Sequence, residues 1–502
     1  MRFLLQFGRN FGRTYQMNFH RKQRKPSRLG SFSRELCRSL LAFALTCAFG
    51  FATRVQAAPL LDPFPEPSTT WFGHTIASLG DITGDGLPDL LVAAPYQDGD
   101  IVSQATGFGL PQNVGKLFVI DGSTLAVINV MDDPEFEVIQ TQHFGGQLGA
   151  ALDISADING DGVPDVIAGD ARHTANPNSH DTIAFNVGKA LVFSGADGSV
   201  LFTLVEGVQE EDNRFGEAVA ALGDVDVDGT ADFVVGAPGK ARENAAGPNE
   251  DEGLPGVGIA YVYSGKTGAL IRTLEDPNRD GEEEGAAFGS ALANAGDVNG
   301  DGVTDVVVGA PGEGRVHVFS GQTGALLYTI VSPTNDPIPS FGQAIAGGQD
   351  LSKDQKPDIV VGAPLASKSR GAAYIFDGTN GTLIRKLNSP SPETFAGFGA
   401  SVYVSADITG DRRADVIVGA PNQNVNGLLG AGQAFVYNGV RGRLFSTLTS
   451  ANPQSHAGFG KGLTTVVFPG SKLATPVVGA PYQTAVVDAV THLQIGQVEI
   501  MQ

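Results

Sequence analysis

Residues Phe288 to Ile330 read FGSALANAGDVNGDGVTDVVVGAPGEGRVHVFSGQTGALLYTI, and this stretch decides the fold. Ser290 to Ala295 is small and apolar, Asp305 to Ala310 is β-branched, Arg315 to Phe319 alternates, and Ala325 to Ile330 is apolar again. Short β-rich runs bounded by Gly- and Asp-rich punctuation are strands. The unit therefore holds four. Glycine-rich turns join them, as in Ser320-Gly-Gln-Thr-Gly324, Ser264-Gly-Lys-Thr-Gly268 and Asp377-Gly-Thr-Asn-Gly381, where hairpins call for positive φ.

The same unit recurs along the chain, opening with Phe-Gly at Phe72, Phe144, Phe215, Phe288, Phe341, Phe398 and Phe459. Repeats of this length indicate propellers or solenoids. Small residues such as Gly309 and Ala310 suit inner strands crowding near a propeller axis. The last unit stops after Gly496-Gln-Val-Glu-Ile500 and lacks an outermost strand, whereas Leu60 to Phe64 resembles the segment that precedes Phe341. Pairing of Leu60–Phe64 with Gln497–Met501 would close a ring and leave no open edge. The expected fold is an all-β, seven-bladed β-propeller, with an N-terminal strand closing the last blade.

Glycine, at 67 of 502 residues, fits many tight turns. Residues 1–38 carry ten of the 33 Lys and Arg, against the single acid Glu35. An apolar run from Leu40 to Phe51 follows, and then small residues at Val55 and Ala57. This is the pattern of a secretory leader cut after Ala57, so that residues 1–57 form a leader with a long basic start and 58–502 the propeller. Met17 is an alternative start to Met1. A membrane anchor is the other reading of the run, but a spanning helix needs about 20 apolar residues.

Removing the leader leaves 22 bases and 53 acids. Nucleic acid and anionic lipid are poor partners for such a surface. Cys37 and Cys47 both lie in the leader, so the mature chain has no disulfide to staple it. No transmembrane segment is expected in the mature chain, which is read as secreted, periplasmic or on the cell surface.

Six units carry a nine-residue acidic loop with oxygen-bearing side chains at positions one, three, five and nine. Unit one offers Asp81, Thr83, Asp85 and Asp89; unit two Asp157, Asn159, Asp161 and Asp165; unit three Asp224, Asp226, Asp228 and Asp232; unit four Asp297, Asn299, Asp301 and Asp305. Unit five has Asp350, Ser352, Asp354 and Asp358, and unit six Asp407, Thr409, Asp411 and Asp415. Position seven, held by Leu87, Val163, Thr230, Val303, Lys356 and Arg413, would turn its carbonyl to the same point. This alternation folds hard oxygens around one cation, and with no His or Cys in any loop the preferred ion is Ca2+. Turns use Asp and Gly for backbone reasons alone, but a turn has no need of carboxylates at one, five and nine, which repel one another without a cation. Four sites keep a glycine at position six. Units five and six have Gln355 and Arg412 there, which implies a strained bend and weaker occupancy. The corresponding segment of unit seven, Phe468 to Pro476, has no acid and should bind nothing.

The pattern FG, then DxNGDGxxD, then VVGAP, then YVFSG resembles the FG-GAP repeats of integrin α-chain head domains and their bacterial relatives. The resemblance runs over nearly all of residues 60–502. It implies an extracellular module that engages a protein or glycan through loops of several blades. No leg-like domains accompany the repeats, so an integrin chain in full is not expected.

The alternative is an extracellular enzyme, a lyase or hydrolase acting on polysaccharide. The sequence has no HExxH, nucleophile elbow or P-loop. The histidines of the mature chain are His74, His143, His173, His180, His317, His456 and His492. His317 reads as an ordinary strand histidine. His173, His180 and Asp181 group in an insertion that replaces the usual Gly-Ala-Pro of unit two; a solvated loop is the plain reading and a metal or ligand contact the other. A second insertion, Gly239 to Gly256, carries Arg242, Glu243, Glu250, Asp251 and Glu252, with Asp276 nearby, and reads as an acidic surface loop. The single tryptophan, Trp71, is expected to pack at the ring closure.

Overall fold

The structure is a computed structural model and describes residues 54–55, 70–97, 113–134, 145–175, 184–241, 256–278, 285–334, 340–487, 490–492 and 496–501. Seven four-stranded antiparallel sheets follow one another in chain order. In the fourth the strands are Ala291–Gly296, Asp305–Ala310, Arg315–Phe319 and Leu326–Val331, each paired with the next. The first strand of every sheet lies beside the first strand of the following sheet, and Leu463–Val466 of the seventh returns to Ile76–Gly80 of the first. That closes the ring, and the expected seven-bladed β-propeller is what the chain forms.

The last blade takes its outer strand from the N-terminal side, as expected, but not from the expected segment. Arg54–Val55 pairs antiparallel with Val498 and Glu499, and Leu60 to Phe64 lies outside the described residues. An outer strand needs only main-chain donors and acceptors, so side-chain likeness is a weak guide to which residues dock.

Six of the seven seams between blades are close glycine-to-glycine backbone contacts, and in the seam between blades one and two Ala93 stands opposite Gly149. A Cβ on Gly309, in the second strand of blade four, would stand 2.3 Å from the carbonyl oxygen of Gly342, the glycine of the next Phe-Gly. The same approach joins Gly169 to Gly216, Gly236 to Gly289, Gly362 to Gly399 and Gly419 to Gly460, and Gly479 of the last blade to Gly73 of the first. The glycine of Phe-Gly and the glycine of Gly-Ala-Pro are thus two halves of one contact.

Phe215, Phe288, Phe341, Phe398 and Phe459 are buried at the blade entries. Phe288 packs edge-on against Phe319, and Phe398 meets Phe435 and Tyr437. Phe144 lies outside the described residues, and in blade two it is the buried Leu148 with Gly149, not Phe144-Gly, that makes the entry contacts, donating N–H groups to the carbonyls of Val114 and Gly169. Second strands such as Asp305–Ala310 and Asp358–Ala363 are buried throughout, so they read as apolar runs without alternation. Trp71 packs at the closure as expected, its ring 3.8 Å from that of Tyr96 in blade one and 4.8 Å from that of Tyr482 in blade seven.

Candidate metal centres on the acidic hairpins

All six acidic loops connect the first strand of a blade to its second, so they share one end of the propeller. Their position-nine carboxylates, Asp89, Asp165, Asp232, Asp305, Asp358 and Asp415, are fully buried. One oxygen of each accepts the backbone N–H of position two: Ile82 at 2.9 Å, Ile158 at 2.8 Å, Val225 at 2.7 Å, Val298 at 3.0 Å, Leu351 at 2.7 Å and Ile408 at 2.8 Å. The other reaches across the blade to the turn between the third and fourth strands. There it accepts from Gly122, Gly195, Gly265, Gly321, Gly378 and Gly439.

Those turn glycines have a reason the sequence does not disclose. Gly324, Gly268 and Gly381 do take positive φ. Gly321, Gly265 and Gly378 are glycine because a Cβ would come within 1.8–2.0 Å of a carbonyl oxygen just ahead of position nine.

The position-one carboxylates accept amide protons from positions four to six. Asp81 takes those of Gly84, Asp85 and Gly86, and Asp157 those of Gly160, Asp161 and Gly162. This wrap places positions four and six in the left-handed region. Position six has φ of +91° at Gly86, +92° at Gly162, +95° at Gly229 and +88° at Gly302, and Gln355 and Arg412 are held there at +70° and +65°. The strain expected of units five and six is present. Position four adds strain at Val227, φ +62°, and Lys353, φ +78°; only a β-branched or long side chain where the other loops have glycine hints at it.

Positions three and five complete the oxygen set. Oδ1 of Asp85, Asp161, Asp228, Asp301 and Asp354 accepts the amide of position seven. In blade three, Asp224, Asp226 and Asp232 bring carboxylate oxygens within 4.8 Å of one another. In blade five, Ser352 Oγ is buried without a hydrogen-bond partner. In blades two and four the position-three amides turn Nδ2 toward Asp161 and Asp301; a half-turn of the amide presents its oxygen instead.

Burial pushes Asp232 and Asp358 up to about 6, and raises Asp165, Asp305 and Asp415 as well. A cation opposes that rise by favouring the charged form. The donor set, hard oxygens alone with one of them orphaned, fits a divalent cation of the calcium type. The blade-seven segment offers no carboxylate, and Ala474 there donates its N–H to the carbonyl of Asp407.

Comparison with known proteins falls on this same pattern. The FG-GAP repeat model matches residues 72–110, 288–326, 341–376 and 398–437. The matched blades are FG-GAP repeats. Among curated proteins, human integrin alpha-11 is 36% identical over 155 residues, 28% of this chain and 13% of that one. Integrin alpha pat-2 of Caenorhabditis elegans is 27% identical over 370 residues, 70% of this chain and 26% of that one. Mouse integrin alpha-IIb is 35% identical over 162 residues, 31% of this chain and 15% of that one. The chain therefore spans only a minor part of these relatives' length.

The opposite end of the propeller, where fourth strands lead to the next blade and second strands lead to third, carries buried polar latches across the seams. Two residues beyond the last buried apolar side chain of the fourth strand stand Asp133, Glu206 and Asp276 in blades one to three, with Ser389 and Ser450 in blades five and six. Asp133 meets Lys189 of the next blade at 2.6 Å, and Glu206 meets Lys240 at 2.8 Å. Asp276 faces His317 at 3.8 Å. Asp276 is thus a seam residue rather than part of an acidic surface loop, and His317 is packed as expected. Ser450 Oγ donates to Glu499 at 2.6 Å.

The insertion of blade two places His173 4.0 Å from Asp170, with His173 lowered to about 4 chiefly by burial. His143, His180 and Asp181, and residues 242–255 of the second insertion, lie outside the described residues. No helix among the described residues is long and apolar enough to cross a membrane.

Proposed function

We propose that this chain is a secreted, calcium-dependent adhesion or ligand-binding module, in which ions at one end of the ring hold the blades in register for recognition by loops at the other. The observation that carries the reading is the division of labour between the two ends. Six hairpins with the same oxygen set occupy one end. The sites would be built from Asp81, Asp85 and Asp89 with Thr83 and the carbonyl of Leu87, and from the corresponding residues of the next five blades.

Calcium there would supply the positive charge that lets three or four carboxylates share one loop. At extracellular concentrations, with dissociation constants of ~0.1–1 mM, each occupied site contributes about 1 kcal/mol. Similarity to integrin α chains supports adhesion; the basic start and the apolar run from Leu40 to Phe51 support export. Variable recognition is placed on the insertions of blades two and three.

The test is retention of the chain, in calcium and in chelator, on arrays of extracellular-matrix proteins and glycans. Saturable, calcium-dependent retention without turnover supports the proposal. Release of shortened oligosaccharides from a glycan would instead favour a polysaccharide lyase or hydrolase.

A further inference from the structure

We propose that the seam between blades three and four holds a transition-metal site, of the kind that binds Zn2+, made by Asp276, Glu313 and His317. It is separate from the acidic hairpins and lies at the other end of the ring. Asp276 follows the fourth strand of blade three, Leu270–Glu275. Glu313 sits in the turn between the second and third strands of blade four, and His317 is in that third strand.

Each of the three presents a ligand atom within 4.8 Å of the others. The Asp276 and His317 side chains are wholly shielded from solvent, and that of Glu313 is 5% exposed. The decisive feature is His317. Its Nδ1 is 3.0 Å from Thr329 Oγ1, which fixes the ring, while Nε2 is buried with no hydrogen-bond partner and points toward the carboxylates.

At 3.8 Å from Asp276 Oδ1, Nε2 is too far to donate a hydrogen bond. Two ligands about 2.0–2.1 Å from one tetrahedral Zn2+ stand roughly 3.3 Å apart, so Asp276 and His317 need to close by about half an ångström, and Glu313, within 4.8 Å of both, by up to about 1.5 Å. Arg315 Nη1 bonds Glu313 Oε2 at 2.7 Å; the Glu313 carboxyl, raised by burial and by Asp276, hydrogen-bonds Asp276, and an ion would take the place of the proton the two share. The seam between blades one and two shows what fills such a place otherwise. There the Lys189 ammonium, itself 1% exposed, pairs with Asp133 at 2.6 Å, and its charge acts on Asp170 as well. One imidazole with two carboxylates is a borderline donor set, which selects zinc over calcium.

The full chain is refolded in millimolar calcium, to saturate the acidic hairpins, with Zn2+ or the spectroscopic substitute Co2+, and then dialysed. The expected result is one retained equivalent of transition metal, with visible Co2+ bands of a low-coordinate site. His317→Gln and Asp276→Asn should lose it, Thr329→Val should weaken it about tenfold, and His456→Gln should retain it. Circular dichroism and calcium-dependent melting check that each variant folds. No retained zinc or cobalt in the parent chain, or equal retention by Thr329→Val and any folded variant of His317 or Asp276, overturns the proposal.

Discussion

Asp305 Oδ1 accepts the backbone N–H of Gly321 at 3.1 Å, tying the acidic hairpin of blade four to the turn between its third and fourth strands. Its other oxygen accepts from Val298 and Asn299. The residue expected to ligand a cation is therefore also a fixed acceptor for three buried or part-buried amides. The two roles separate by mutation. Asp305→Ala should destabilise the chain by about 2–4 kcal/mol in chelator, because those donors lose their partner, and by roughly 1 kcal/mol more in calcium, where the site is lost as well. Asp301→Asn should lower stability in calcium only. Denaturant titration of both variants, with and without chelator, checks this.

Val227, Lys353 and Gln355 hold left-handed backbone where blades one, two and four have glycine. Replacing each by glycine should remove roughly 1 kcal/mol of strain, less the entropy that glycine adds to the unfolded chain. Lys353→Gly with Gln355→Gly in one chain should give the larger rise in melting temperature, and should also raise calcium affinity in blade five. An unchanged melt and an unchanged affinity would show that these backbones are not strained.

The closing seam depends on Gly479 and Gly73. A Cβ on Gly479 would lie 2.0 Å from the Gly73 carbonyl oxygen. Gly479→Ala forces the first and last blades apart and should cost several kcal/mol, roughly the scale of overpacking plus a lost backbone contact. Gly84→Ala, with no atom within 4 Å of the new Cβ but a φ of +76°, should cost about 1 kcal/mol. Paired thermal melts, with limited proteolysis to detect an opened ring, distinguish them.

Asp170 provides a pH dependence independent of the hairpins. Burial, opposed by Lys189, pushes its carboxyl up to about 8, far above its unfolded value. The folded state then binds the extra proton, so this contribution to stability is full below about pH 4 and is lost as pH rises toward 8. Asp170→Asn should be more stable than the parent chain at pH 8, and the difference should shrink toward pH 5. Denaturant midpoints across that range read it directly.

The ring and its hairpins are legible in the sequence because their signals are local and repeated. Carboxylates at alternate positions within nine residues, and a Phe-Gly before most first strands, need no knowledge of distant chain; blade two, entered through Leu148-Gly149, is the exception. The tie from Asp305 to Gly321 is not legible in the same way, although the Ser-Gly or Asp-Gly of each turn stands at a constant place in the unit. Its partner lies two strands away.

The seam latches are harder still, since Asp276 and His317 belong to different blades and neither breaks the pattern of its own. Taken alone, Asp276 looks like surface acid and His317 like an ordinary strand residue; the contact exists only once the ring is closed. Resemblance points to Leu60–Phe64 as the closing strand, whereas backbone pairing at Arg54–Val55 requires no matching side chains.

Calcium titration of the metal-depleted full chain, followed by calorimetry of binding and by the melting temperature, bears on the central claim that divalent ions at the acidic hairpins hold the blades together. Four to six bound ions, a melting temperature that rises with calcium, and loss of one site in Asp301→Asn are the predicted results. A chain that binds no calcium and melts at the same temperature in chelator would contradict it.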